Sequence, residues 1–71
     1  MKISFDPKHD ILYLKFSEER IVDTIEVDGS VLIDYGDKGQ MVGIEIINAS
    51  SLIKANPLHE IVIKIQKETE A

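Results

Sequence analysis

Apolar and polar residues alternate with a period of two along most of the chain, which is the pattern of half-buried β-strands. The alternation predicts six strands, over residues 2–6, 11–16, 21–27, 31–35, 41–47 and 61–65. Turn signals separate these segments, and the strongest is Asp28-Gly29, because Asp-Gly supplies the positive φ of a tight hairpin turn. Gly43 lies inside the fifth segment, where it predicts a bulge or a close approach of the backbone.

Residues 48–55 break the alternation. Asn48 or Ser50 could cap a short helix there, and Asn56-Pro57 would end it. Between the second and the fifth strand no connection is long enough for a parallel crossover, so the pairing should be antiparallel. We predict one small domain over residues 1–71, of the α+β class and mostly β: an antiparallel β-meander of five to six strands with one short helix near residues 49–55.

The size of the chain predicts a partner. Folding of 71 residues buries apolar surface worth about 107 kcal/mol, and ordering the chain costs about 107 kcal/mol. The two estimates cancel, and the chain has no cysteine with which to form a disulfide. We therefore predict a homodimer or higher homo-oligomer, whose interface includes the three residues on one face of the last strand: Ile61, Ile63 and Ile65.

The charge pattern narrows the class of partner. The formal net charge is −5, and the eight basic residues are spread singly along the chain. Nucleic-acid binding depends on clustered Lys and Arg, so we predict none. No apolar run approaches ~18 residues and the first residues lack a signal-peptide pattern; we expect a cytoplasmic protein with no membrane contact. An acidic surface would fit a small basic protein.

The first turn contains the residues closest to a metal-binding pattern. Asp6, His9 and Asp10 are two carboxylates and an imidazole within five residues, which are ligand types that divalent metals accept. An ordinary polar turn, in which Asp6 and Asp10 accept backbone N–H bonds, is the favoured interpretation, and no second motif such as His-Glu-x-x-His is present. Asp34 and Glu45 are expected on the solvated face of their strands. We predict no catalytic, cofactor-binding or metal site, with Asp6, His9, Asp10 and Asp34 as the candidate ligands if a metal binds.

Three motifs occur in order: Phe5-Asp6-Pro7-x-x-Asp10-x-Leu12-Tyr13-Leu14, then Val31-Leu32-Ile33-Asp34-Tyr35, then residues 42–50. In their order and spacing they resemble a family of small prokaryotic proteins, domain of unknown function 2283. The resemblance covers residues 1 to about 53. It departs from the family pattern at Phe5, Gly36 and Asn48, where that pattern has a tyrosine and two aspartates.

The resemblance implies no established activity, substrate or cofactor, and only a loose link to toxin–antitoxin-like gene pairs. The surplus of apolar strand faces leads us to predict a non-enzymatic binding or assembly module that forms a homo-oligomer. One alternative is an antitoxin-like protein that neutralises a small basic partner. The other, less favoured, is a metal-dependent enzyme.

Overall fold

The computed structural model describes residues 1–54, 58 and 60–68. Five antiparallel strands form one open sheet: β1 (Lys2–Asp6), β2 (Ile11–Lys15), β3 (Asp23–Val27), β4 (Val31–Tyr35) and β5 (Met41–Ile47). A short helix follows them, α1 (Ala49–Leu52). The predicted fold class is confirmed, since the described chain is mostly antiparallel β-structure with one short helix.

The strand order is β1-β2-β5-β4-β3. A β1–β2 hairpin and a β3–β4–β5 meander are joined where β2 pairs with β5, so the sheet is not one sequential meander. The composition of the strands explains why β3, and not β2, lies at the edge of the sheet. All residues of β3 are exposed and two of them are acidic, which suits the edge of a sheet, whereas the more apolar β2 gains a neighbour on each side.

The structure differs from the predicted elements in four places, and the smallest difference is that the second strand ends at Lys15 instead of Phe16. The sixth strand is not formed, because residues 60–68 carry no strand assignment and Ile65 is 88% exposed. The third strand begins at Asp23 instead of Ile21. The helix expected near residues 49–55 ends at Leu52, and residue 55 itself lies outside the described residues. Alternation indicates strand-forming residues, but a strand also needs a hydrogen-bonding neighbour. In the described sheet, residues 61–65 are not paired with any strand.

Two complete rows on one side of the sheet are apolar, and Asp23 lies beyond them in a row with Tyr35 and Met41. One row of aligned residues across the five strands consists of Ile3, Leu14, Ile44, Ile33 and Ile25. The next row consists of Phe5, Leu12, Ile46, Val31 and Val27. We call these ten side chains the apolar face. Leu12 is the one member that is buried, and the other nine remain partly or largely accessible to solvent.

The opposite side, which we call the polar face, is mixed in character. One row consists of Ser4, Tyr13, Glu45, Leu32 and Glu26, and the other of Lys2, Lys15, Gly43, Asp34 and Thr24. The register between β4 and β5 shifts after Asp34, which leaves Val42 as the extra residue of a bulge. Val42 is fully buried, and its carbonyl accepts a hydrogen bond from the backbone N–H of Phe16 at 2.7 Å.

Within the part of the chain that the structure describes, no helix is both long and apolar enough to cross a membrane.

Candidate functional site

The polar face contains a buried carboxylate, Asp34, which is only 8% exposed. The Tyr13 hydroxyl on β2 donates a hydrogen bond to Asp34 Oδ2 at 2.9 Å. The Thr24 hydroxyl on β3 donates to Asp34 Oδ1 at 2.7 Å. We call these three residues the Asp34 cluster. It ties together strands that are not neighbours, because Tyr13 must reach across β5 to meet Asp34 on β4.

Gly43 makes this reach possible. It lies on β5, between Lys15 and Asp34 in the same row of the sheet. A Cβ atom at Gly43 would lie 2.7 Å from the Tyr13 hydroxyl oxygen and 2.9 Å from the Leu14 carbonyl oxygen. The absence of a side chain therefore leaves the space that the tyrosine occupies. The predicted close approach at Gly43 is confirmed, and the bulge lies beside it.

The electrostatics of the Asp34 cluster keep the tyrosine protonated. Burial raises the pKa of Tyr13 most, and the hydrogen bond to Asp34 and the negative charges of Asp34 and Glu45 raise it further. The ring hydroxyl is thus held protonated, as the donor of the hydrogen bond to Asp34. No buried side-chain polar atom in the described residues lacks a hydrogen-bond partner. An arrangement satisfied in this way fixes the packing of three strands.

A second set of contacts joins the first turn to α1. Asp10 has a φ of 55°, a left-handed conformation that aspartate tolerates better than most residues. Its backbone carbonyl accepts from the Ala49 N–H at 3.0 Å. Its carboxylate accepts from the Ser50 N–H at 3.0 Å and from the Ser50 hydroxyl at 2.7 Å. Asp10 therefore caps a helix that begins nearly forty positions later in the chain.

Asn48 is the N-cap residue of α1, as one of the two predictions had it, but its side chain does not cap the helix. Asn48 precedes the helix but makes no side-chain capping hydrogen bond and has a φ of 55°. Ser50 lies inside α1, where its backbone N–H donates to Asp10. The residues next to the helix are of types that often cap helices. The acceptor is instead Asp10, in the turn between β1 and β2, which the local sequence around the helix does not reveal.

The third set of contacts is the turn between β1 and β2. The Asp6 carboxylate accepts from the backbone N–H groups of Lys8 at 3.0 Å and His9 at 3.3 Å. Its other oxygen lies 2.7 Å from His9 Nδ1. The hydrogen bond to the His9 ring is the largest cause that lowers the pKa of Asp6, and the backbone donors add to it. Both side chains are exposed, and together they shape the turn.

The structure does not bring the four candidate metal ligands together. Asp6 meets His9, whereas Asp10 contacts α1 and Asp34 contacts two hydroxyls. Among the described residues, no group of three or more His, Cys, Asp or Glu side chains could hold a metal ion. The expectation that Asp34 lies on a solvated face was wrong, because Tyr13 covers it from across β5. Glu45 sits opposite Tyr13 on the same face.

Sequence reasoning missed the three hydroxyl donors: Tyr13, Thr24 and Ser50. Each donates to a carboxylate at least ten positions away in the chain. The glycine inside β5 was the one local signal, since it marked the position that the Tyr13 side chain crosses. No comparable signal pointed to Thr24 or Ser50.

Residues 2–50 match a family described as Protein of unknown function (DUF2283). The chain belongs to this family. A curated relative, an uncharacterized protein of Methanocaldococcus jannaschii, is 36% identical over 56 residues, which cover 79% of this chain and 47% of that protein. The chain thus spans about half the length of the curated relative it matches. No solved structure matches the chain.

The motif residues that carry the DUF2283 resemblance contact one another in the fold. Asp10 from the first motif binds Ser50 from the third. Tyr13 from the first motif binds Asp34 from the second, across Gly43 from the third. In this chain the three motifs are therefore held together by two long-range sets of hydrogen bonds.

Proposed function

We propose that this DUF2283 chain is a non-enzymatic assembly module that forms a homo-oligomer through its apolar face. One observation carries the proposal: the sheet is a single open layer, and nine of the ten apolar side chains on one side remain accessible. A sheet that is hydrophobic on one face gains stability by burying that face against another layer. A second copy of the chain offers a complementary apolar layer.

Surface area supports a missing layer. The chain exposes 5862 Å², whereas a compact folded monomer of this mass exposes about 4,450 Å². Part of the excess belongs to residues 60–68, which are exposed throughout. The apolar face is also accessible. Five strands about 4.8 Å apart and about 17 Å long project about 400 Å², which is within the range of functional apolar patches on monomers.

Two apolar sheets can pack face to face at about 10 Å, with their side chains interdigitated.

The acidic groups of the described fold favour this assembly role over catalysis. Asp34 and Asp10 each have both carboxylate oxygens occupied by donors from the chain itself. A carboxylate fully used in this way contributes to the rigidity of the sheet that would present the apolar face.

Sedimentation velocity across the micromolar range tests the proposal. We expect the sedimenting species to change from monomer to dimer as concentration rises, with a higher thermal unfolding midpoint at the higher concentrations because dissociation is linked to unfolding. A monomer at every concentration, with an unfolding midpoint independent of concentration, would overturn it. The cytoplasmic location expected from the sequence belongs to the same proposal, and cell fractionation tests it.

A second candidate function is the antitoxin-like one, in which a small basic protein binds the chain. The observation that favours it is the exposed β3, where Asp23 and Glu26 add to a net charge of −5. Such a complex should weaken as salt rises, because exposed charges are screened. Co-purification with the product of an adjacent gene at low salt tests it, and the absence of any basic partner there would count against it.

A further inference from the structure

We propose that residues 60–68 of one copy add to the free edge of β3 in a second copy as an antiparallel strand. The register places Ile63 opposite Val27, Lys64 opposite Glu26 and Ile65 opposite Ile25. This inference rests on the homo-oligomer proposed above and names a contact that would hold it together. The segment lies outside residues 2–50, which match the DUF2283 family.

The acceptor is the edge of the sheet at β3. The strand order leaves β3 with a single neighbour, β4, and all five of its residues are exposed. Ile25 is 47% and Val27 43% exposed, although both belong to the apolar face. An edge strand presents unpaired backbone N–H and C=O groups, which are a template for another strand. The edge therefore offers hydrogen bonds and apolar contact at once.

The donor is a segment of strand-forming residues that is not part of the described sheet. Ile61, Val62, Ile63 and Ile65 are all exposed, and the segment carries no strand or helix assignment. β-branched residues favour a pleated, half-buried surface. Residues 61, 63 and 65 would share one face of a strand, and residues 62, 64 and 66 the other. A strand partner would bury the apolar side of this segment.

Matching the two faces leaves one good register. Ile63 and Ile65 fall opposite Val27 and Ile25 on the apolar face. On the polar face, Lys64 falls opposite Glu26. The same register places Gln66 opposite Thr24 and Lys67 opposite Asp23. Opposite charges directly across a strand pair are favourable, and both acidic residues of β3 are then paired with lysine.

Neighbouring registers fit less well. A slip of one residue moves every isoleucine to the polar face. A slip of two residues one way places Ile65 opposite Asp23, and two residues the other way places Lys67 opposite Ile25. The other free edge, β1, also fits less well: with Ile63 opposite Phe5 and Ile65 opposite Ile3, Lys64 meets Ser4 and Gln66 meets Lys2. β3 is therefore the edge whose charges match the segment.

A second copy is favoured as the acceptor because strand exchange would supply interface area that the apolar face lacks. The apolar face alone projects about 400 Å², and a stable interface takes about 800 Å² from each partner. A two-fold axis would make the exchange reciprocal, so that each copy both donates and accepts one strand. The added strand would also extend the apolar face by one strand on each sheet.

Disulfide trapping tests the register directly, because the chain has no cysteine of its own. Lys64→Cys and Glu26→Cys are prepared separately, one of them carrying a mass tag, mixed, and oxidised mildly. We expect the mixed disulfide to form several times faster than it does with the control pair Gln66→Cys and Glu26→Cys. Directly opposite Cβ atoms lie about 5 Å apart, and diagonal ones about 7 Å or more.

Equal trapping in both pairs would overturn the register, and no mixed disulfide would overturn the strand exchange. A chain carrying both Lys64→Cys and Glu26→Cys distinguishes the remaining case. If that double variant closes an internal disulfide and stays monomeric, the segment pairs with its own β3 and the proposal is wrong. Circular dichroism of each variant checks that the sheet is still formed.

A charge exchange provides a second test. Lys64→Glu and Glu26→Lys should each raise the dimer dissociation constant by about tenfold, because each contact occurs twice in a two-fold dimer and becomes repulsive. The variant with both changes should return to within about threefold of the original chain. If the original chain dimerises but neither change weakens it, strand exchange fails while the homo-oligomer stands. If the original chain is monomeric, both fail.

Discussion

The two faces of this sheet satisfy their side chains in opposite ways. On the polar face, Asp34 is buried and its oxygens are bonded by Tyr13 and Thr24 from the same chain. On the apolar face, ten aligned apolar residues are left mostly accessible. Polar groups can be satisfied pairwise within one layer, whereas an apolar surface needs a second layer.

The difference indicates which face specifies the fold and which presents a surface. The hydrogen bonds of the Asp34 cluster connect β2, β4 and β3, which fixes their register, since a slip would leave a buried carboxylate without donors. The apolar face carries no such specific contact. It supplies hydrophobic free energy that is only partly realised in the single chain.

The largest contrast is expected from placing a lysine on either face of β4. Ile33 and Leu32 are adjacent, both partly buried, and point to opposite faces. Ile33→Lys puts a charge into the apolar face and should raise the dimer dissociation constant at least ~100-fold. Leu32→Lys falls between Glu26 and Glu45 and should change the free energy of unfolding by less than about 0.5 kcal/mol. Sedimentation of both variants measures the dimer dissociation constant, and urea unfolding measures the free energy of unfolding. An equal loss of dimerisation in the two variants would contradict the assignment of faces.

Removing the carboxylate should break the polar face alone. Asp34→Ala leaves two hydroxyl donors without their acceptor, and we expect a loss of about 2–3 kcal/mol in the free energy of unfolding. Tyr13→Phe removes one bond and should cost about 1 kcal/mol. Asp23→Ala, on the exposed edge, is the control and should change the monomer by less than about 0.5 kcal/mol. Urea denaturation ranks the three, and a reversed ranking would show that the cluster is not a source of stability.

Filling the space beneath Tyr13 should have a somewhat smaller effect. Gly43→Ala would place its Cβ against the tyrosine hydroxyl and the Leu14 carbonyl, at a cost of about 2 kcal/mol. Gly39→Ala is the control, because no atom lies within 4 Å of its Cβ position and only its φ of 77° opposes the change. That strain costs about 1 kcal/mol. If Gly39→Ala proves the more damaging, the crossing of Tyr13 over β5 is not under steric constraint.

The smallest expected effect is on alkaline stability. The pKa of Tyr13 is raised in the folded chain, first by burial and then by Asp34, so the protonated tyrosine is favoured by folding. Its stabilising contribution is therefore complete below the ordinary tyrosine pKa of about 10 and is lost as pH rises through the raised value. Ultraviolet titration of a Tyr35→Phe variant isolates Tyr13. Asp34→Asn should lower the Tyr13 pKa only in part, since burial remains; a Tyr13 that titrates at or below the ordinary value would contradict this.

Local alternation was sufficient to predict most of the sheet. β1, β4 and β5 have the bounds expected from the alternation of their residues and from the turn signals that flank them. The beginning of β3 was placed too early, since Ile21 and Val22 are apolar yet exposed and outside the strand. Alternation also could not show that β2 pairs with β5, because pairing depends on residues thirty or so positions away.

The contacts of the candidate site were beyond the reach of local patterns. Asp34 was placed on the polar side of its strand, which is its position, but its burial depends on Tyr13 crossing over Gly43. The sequence predicts that Asp10 belongs to a turn. Its role in capping α1 depends on Ser50, forty positions further along the chain. Side-chain contacts between non-adjacent strands depend on which strands pair and in which register, so local sequence patterns do not predict them.

The strand order has a consequence for the chain during its synthesis. β2 acquires its second neighbour only when β5 emerges, after residues 16–40 have been made. Until then the N-terminal hairpin has a free apolar edge at β2, and transiently unpaired edges of this kind are prone to aggregate. We expect nascent chains whose β5 is still inside the ribosome to be cleaved readily by protease, and chains from which Ile47 has emerged to resist it. The short connections of the β3–β4–β5 meander keep that exposed interval brief.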